Sequence, residues 1–216
     1  MFNIGKVKLL PAREQVASVL RKAILSRELE EGQEITINGM AERIGVSSMP
    51  VREAFQILAS EGYIKLRPNK GAVVQGMNEK TIKDHFETRA LLESEAAARA
   101  ALPDHDHSEL KHIYQEAKES IEKQDYSNYS RQNESFHMAI WEAADNEKMK
   151  GILSQLWNGL SLSQTDAEED YAEKSMKEHK DILSAILKGK KAEAKELMYH
   201  HIIRSMEDML THYADQ

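Results

Sequence analysis

The sequence predicts a mainly α protein in two parts: a small N-terminal unit of three helices and a hairpin, then an antiparallel bundle of about six helices. Three observations point there. Four prolines and ten glycines in 216 residues leave long uninterrupted stretches. Strand-like patterning is confined to "YIKL" and "AVVQ", at 63–66 and 72–75. From about Asn78 onward, apolar residues recur only at helical spacing.

Residues 12–27 place Val16, Leu20, Ala23 and Ile24 on one side of a helix that starts behind Pro11. "ELEEGQEI" reads as a turn. Thr36 N-caps a short helix over 37–44, and Gly45 ends it. Ser47 caps the next helix and Pro50 falls in its first turn, where a missing N–H costs little. Val51, Phe55, Leu58 and Ala59 form its buried stripe, and Gly62 ends it. The two strands follow, joined by "RPNKG". Helix, helix, turn, helix and hairpin in this order make a winged helix-turn-helix, expected over 1–76.

The remainder, 77–216, is expected to hold six helices at about 79–101, 107–124, 127–144, 146–165, 170–188 and 191–212. Turn-forming or capping residues separate them, as in "PDHD", "DYSN" and "KGKK". Apolar stripes such as Phe86, Ala90, Leu91, Ala97 and Ala98, or Ile152, Leu153, Leu156 and Leu160, would face the bundle core.

Composition narrows the function classes. Hydrophobic content of 41% and charged content of 30% suit a folded soluble chain. The absence of cysteine excludes disulfides and thiolate metal sites, and a reducing cytoplasm is the expected compartment. No apolar run reaches the roughly 18 residues of a membrane span, and the N-terminus lacks the apolar core of a signal peptide. Net charge is -7 but unevenly spread. Residues 1–76 carry 11 Lys+Arg against 8 Asp+Glu, while the rest carries 18 against 28. A mildly basic front and an acidic back suggest nucleic acid at one end only.

In a helix-turn-helix the second helix enters the major groove and its first residues meet base edges. Here those are Ser47, Ser48, Met49 and Arg52. Arg52 offers a fork to guanine or a clamp to phosphate, unless it pairs with its neighbours Glu53 and Gln56. Arg67, Asn69 and Lys70 sit at the wing tip, suited to the DNA backbone or minor groove. Arg13, Arg21 and Lys22 add positive charge on the first helix, for DNA or for solvent.

Nine histidines occur, and helical faces sort them. At about 100° per residue, His137 falls in the stripe of Ile140, Trp141 and Ala144, with Asn133 one turn earlier. His179 lies amid Met176, Ile182, Leu183 and Ile186. On the last helix His201 lies roughly 40° from the apolar centre and His200 roughly 140° away. His201 is therefore expected inward and His200 outward. His85, His105, His107, His112 and His200 are expected at the surface or at caps. Three imidazoles and the Asn133 oxygen would suit Zn²⁺, or Ni²⁺ or Mn²⁺, in a bundle interior. The alternative is three separately satisfied core histidines.

"GVSSMPVREAFQILASEGYIKLRPNKGAVV" resembles the winged-helix signature of the GntR superfamily of transcription regulators, across roughly 11–76. The usual Arg-Thr pair is Ser48-Met49 here, so the resemblance does not carry over the family's operator sequence; Arg52 is retained. The helical part resembles the FCD effector domain of the FadR-type subgroup. Asn133, His137, His179 and His201 match its metal-binding pattern, with Asn133 the less common alternative to Asp. Phe86, Arg89, Leu92 and Glu93 match its "F-x-x-R-x-x-L-E". The resemblance implies that Arg89 meets a small carboxylate effector near the metal. A plain Arg89–Glu93 pair at i,i+4 is the other reading.

Together these features predict a ligand-responsive transcription regulator, a homodimer on a palindromic double-stranded operator, with repression relieved by ligand as the commoner family logic. A metal-dependent enzyme on a helical bundle is the alternative. Glu134-x-x-His137 resembles half a di-iron site, but Met176 and Met198 occupy the matching positions before His179 and His201. No His-Glu-x-x-His motif is present. A structural DNA-binding protein without effector is the third option.

Overall fold

The computed structural model describes residues 11–68, 70–76, 78–102, 106–157 and 169–214. Packing divides the chain into two compact units, Met1–Thr81 and Ile82–Gln216. The predicted class holds: a small helix-and-sheet unit, then a six-helix bundle.

The first unit packs α1 (Ala12–Leu25) and α2 (Ile37–Ile44) against α3 (Ser48–Ser60). Thr36 caps α2 by accepting a hydrogen bond from the Gly39 N–H at 3.1 Å. Gly45 closes α2 at φ 76°, a left-handed conformation that glycine adopts without strain. That turn aims α3 away from α2. Ser47 holds the N-cap position of α3, but its side chain makes no capping bond. Val51, Ala54, Phe55 and Leu58 form the buried face, while Ala59 is only partly covered.

The hairpin is β2 (Ile64–Arg67) with β3 (Gly71–Val74), antiparallel. One strand was not expected. Glu34–Ile35, inside the stretch read as a turn, forms β1 and pairs with β3 in the sheet order β1-β3-β2. Two residues are too short to show alternation, and their partners Val73 and Ala72 are far along the chain. Gly71 is obligatory here. Its φ is 96°, and a Cβ would lie 2.2 Å from the Ile35 carbonyl oxygen.

The second unit holds α4 (Glu79–Ala100), α5 (Ser108–Glu122), α6 (Tyr126–Ala143), α7 (Glu147–Trp157), α8 (Glu169–Leu187) and α9 (Lys191–Ala214). Helix α4 begins in the last residues of the first unit and runs on into the second. Helix α5 packs on α6 and α8, α6 on α7, and α8 on α9. Asp125 caps α6 through the Asn128 N–H at 3.0 Å. The fourth bundle helix is described as far as Trp157; its expected continuation, with Leu160, lies outside the described residues.

Two stripe residues are corrected. Leu91 is 67% exposed and Ile152 37%. On α4 the buried face runs through Ile82, Phe86, Arg89, Ala90, Glu93, Ala97 and Ala100, so two charged side chains occupy positions that apolar periodicity gives to hydrophobes.

Candidate metal and effector site

His137 of α6, His179 of α8 and His201 of α9 converge, all buried. Nε2 of His201 lies 3.2 Å from Nε2 of His137 and 3.3 Å from Nε2 of His179. His200 points outward, as expected from the helical wheel.

The outer ring nitrogens explain the cluster's chemistry. Nδ1–H of His137 donates to Glu93 Oε2 at 2.6 Å, and Nδ1–H of His201 donates to Glu178 Oε2 at 2.6 Å. An ionised carboxylate only accepts, so a neutral ring at either position carries its proton on Nδ1. The Nε2 atoms of two such rings then face each other with bare lone pairs. A cation between them turns that repulsion into coordination. Tetrahedral Zn–N bonds of about 2.05 Å put donor nitrogens about 3.3 Å apart. The observed spacings match. Carboxylates behind metal-binding histidines are the usual arrangement that sets the tautomer and raises ligand basicity. The three buried histidines are thus compatible with a divalent metal ion.

Asn133 lies one turn before His137. Its Oδ1 is buried and has no hydrogen-bond partner. Together with Arg89, His137, Trp157, Tyr171 and His201 it lines a cavity of about 10 Å³, room for about one water. A spare buried acceptor that shares a cavity with His137 and His201 fits a fourth metal donor.

Electrostatics favour neutral, ligand-ready rings at His179 and His201. Burial lowers the His179 pKa, and His201, His137 and Arg204 push the same way. Burial brings His201 to about 4 despite the raising effect of Glu178. Burial alone would raise the Glu93 carboxyl, but Arg89 and His137 overcome it and hold it far below its ordinary range. Arg204 and His201 likewise overcome burial and hold Glu178 at about 2.

Arg89 is buried and donates to Glu93 Oε1 from Nε at 2.9 Å and Nη2 at 2.6 Å. Its guanidinium sits 4.7 Å from the Trp157 ring centre. The pair read as the plain alternative therefore exists, and Arg89 lines the cavity as well. The sequence points to Glu93 only as the partner of Arg89, and not to Glu178, Trp157 or Arg204. Trp141 also donates to Glu93 at 3.2 Å, and Arg204 donates to Glu178 at 3.0 Å. Acidic residues on otherwise buried helix faces were the available signal for Glu93 and Glu178.

In the first unit, Arg52 and Met49 are exposed on α3 and Ser47 is exposed at its N-cap. The Ser48 hydroxyl donates to Asn38 Oδ1 of α2 at 3.0 Å. A cleft of about 1060 Å³ beside α3 and the hairpin is lined by Asn38, Arg52, Gln56, Arg67 and Lys70, with Glu34. Arg67 pairs with Glu34 at 2.5 Å, which compensates its charge. Asn69 and His105 lie outside the described residues. Arg21 is corrected. It is 3% exposed and forks onto Glu61 at 2.8 and 3.0 Å, so it is a core ion pair rather than surface charge. Its partner lies 40 residues away in sequence.

A winged helix-turn-helix in one unit and a buried histidine pocket in the other define a class: a transcription regulator with separate DNA-binding and effector-binding parts. Residues 12–74 match the gntR family of bacterial regulatory proteins, and residues 84–204 match the FCD domain. The chain belongs to the gntR family and carries an FCD domain.

It is 36% identical over 148 residues to the gluconate operon transcriptional repressor of Bacillus subtilis (strain 168), covering 68% of this chain and 59% of that protein. The chain thus aligns with little more than half the length of that relative. It is 29% identical over 203 residues to the probable D-xylose utilization operon transcriptional repressor of Paenarthrobacter nicotinovorans, covering 88% of this chain and 87% of that one. A solved structure of E. coli McbR/YncC shares the fold, with a TM-score of 0.71 at 21% identity over 95% of this chain and 100% of that one. These matches are to transcription regulators, not to enzymes, and they displace the metalloenzyme alternative. Among the described residues, no helix is long and apolar enough to cross a membrane.

Proposed function

We propose that the protein is a cytoplasmic, homodimeric repressor of the FadR-type subgroup that leaves its operator when a small carboxylate metabolite binds near a divalent metal. The observation that carries this is the coexistence of an exposed reading helix with a pocket of inward histidines and a buried arginine. A relative described as the repressor of a gluconate operon supports a sugar acid or a similar organic acid as the effector.

Two copies would place two α3 helices one turn of DNA apart on a palindrome. Arg52 would read a guanine or clamp a phosphate, with Ser47 and Ser48 beside it and Arg67, Asn69 and Lys70 on the backbone. Arg67 would exchange Glu34 for a phosphate.

His137, His179, His201 and Asn133 would hold the metal. A bound divalent ion supplies fixed positive charge for a carboxylate. Arg89 orients the acid from the same cavity, and Trp157 shields the guanidinium from water. The cavity of about 10 Å³ is smaller than any metabolite, so binding has to move its walls. That requirement links ligand to conformation. Arg89 and Glu93 lie on α4, which begins five residues after β3 ends. Displacing α4 is therefore the proposed signal, acting through the junction at 75–79 between the functional parts 1–76 and 77–216.

The test is binding to DNA from upstream of the protein's own gene, with metal supplied and a panel of carboxylic acids added. Release by one acid, lost in Arg89→Ala, is expected. DNA binding indifferent to every acid and to metal would leave a structural DNA-binding protein instead.

A further inference from the structure

We propose that Asn133 makes metal and acid binding at this centre mutually dependent: its neutral amide leaves the ion's charge for an anionic ligand to balance. The inference rests on the metal-and-acid reading above and adds how that site is regulated.

The cavity lining contains Phe86, Arg89, Asn133, His137, Trp157 and Tyr171 along with His201, Ile202 and Ser205. Among the described residues that line it, Arg89 carries the one fixed formal charge and none is a carboxylate. The two acids that reach the centre stand behind histidines. Glu93 is paired with Arg89, and Glu178 with Arg204, which also holds Asp208. Among the described side chains that line the cavity, the Asn133 Oδ1 is a buried oxygen without a hydrogen-bond partner. The donors this centre would use are therefore all neutral: the three converging imidazole nitrogens and, from the shared cavity, the Asn133 amide oxygen.

A divalent ion held by four neutral donors keeps both charges in a buried, aromatic-walled pocket. Enclosing uncompensated charge is unfavourable. A carboxylate entering beside Arg89 supplies the missing negative charge. The acid then raises metal affinity, and by thermodynamic linkage the metal raises acid affinity by the same factor. An aspartate at 133 would supply a built-in anion. It would tighten the metal by itself and shrink the gain from the acid.

The test is Zn²⁺ affinity of the full chain, by competition with a chromophoric chelator. Acetate serves as the carboxylate probe and acetamide as its uncharged isostere. Expected for the wild type is a tightening by acetate of about tenfold or more, within the range of ordinary site-to-site coupling, and none by acetamide. Asn133→Asp should bind Zn²⁺ about tenfold more tightly without acetate, a difference of about 1.4 kcal/mol, and gain less than about threefold from it. Asn133→Ala, which stays neutral, should bind Zn²⁺ more weakly yet keep the acetate gain. Wild-type affinity unmoved by acetate would overturn the proposal, as would a full gain in Asn133→Asp or a lost gain in Asn133→Ala. Failure of the underlying metal reading looks different: wild type and His201→Ala would then bind Zn²⁺ equally, which overturns both.

Discussion

Replacing Glu93 with glutamine isolates the charge at the heart of the bundle. Glu93 is fully buried and accepts from Arg89, His137 and Trp141. Glutamine keeps the shape, so no cavity forms. It does remove the charge opposite a buried guanidinium, and it turns one acceptor oxygen into an NH₂ that faces other donors. Breaking a buried ion pair from one side costs about 3–5 kcal/mol. Urea unfolding of metal-free protein should show a loss of that size. Trp141 and Trp157 are the protein's two tryptophans and both lie in the bundle, so their fluorescence reports on that unit. The acid limb should also flatten. The Glu93 carboxyl is held below its ordinary value of 4.5 in the folded state. Its contribution is therefore present above that value and lost as pH falls. Zn²⁺ affinity should drop about 10–100-fold, because His137 loses the partner that sets its tautomer. A stability change below about 1 kcal/mol would refute the buried-charge argument.

Other perturbations probe other parts. Gly71→Ala should strain the wing by about 1–3 kcal/mol and speed amide exchange in β1 and β3 while α8 and α9 stay protected; unchanged exchange would contradict the contact with Ile35. Metal-free protein should lose stability as pH falls from about 6.5 towards 4, because unfolding lets His201 and His179 take up protons they refuse when buried. A urea series over that range checks it, and the loss should be smaller in His201→Ala. Arg52→Ala should weaken operator binding by about 1–3 kcal/mol with relaxed specificity at one base pair if it reads guanine, or lower the salt slope by about one if it clamps phosphate. Binding unchanged in both respects would remove Arg52 from the interface.

What could be read in the sequence was what repeats or caps locally. The α2 cap at Thr36, the Gly45 turn and the helical spacing of α5 to α9 each depend on residues within a turn or two. The choice of His201 over His200 used the same local geometry, since α9 has a clear apolar centre. Long-range pairing was not legible. Strand β1 is two residues whose partners sit almost forty residues later. Arg21 looked like surface charge because Glu61 is distant in sequence. On α4 the buried ion pair of Arg89 and Glu93 breaks the apolar stripe, which is why Leu91 was placed inward and proved exposed. Glu178 was hidden for a similar reason, since its role is defined only by where His201 lands beside it.

The most direct test of the proposed centre is the metal content of protein purified without chelator, measured for the wild type, His201→Ala and His200→Ala. Three inward nitrogens at 3.2 and 3.3 Å predict about one divalent ion per chain in the wild type. His200→Ala should retain it and His201→Ala should lose it. Metal retained in His201→Ala, or lost in His200→Ala, would contradict the centre described above.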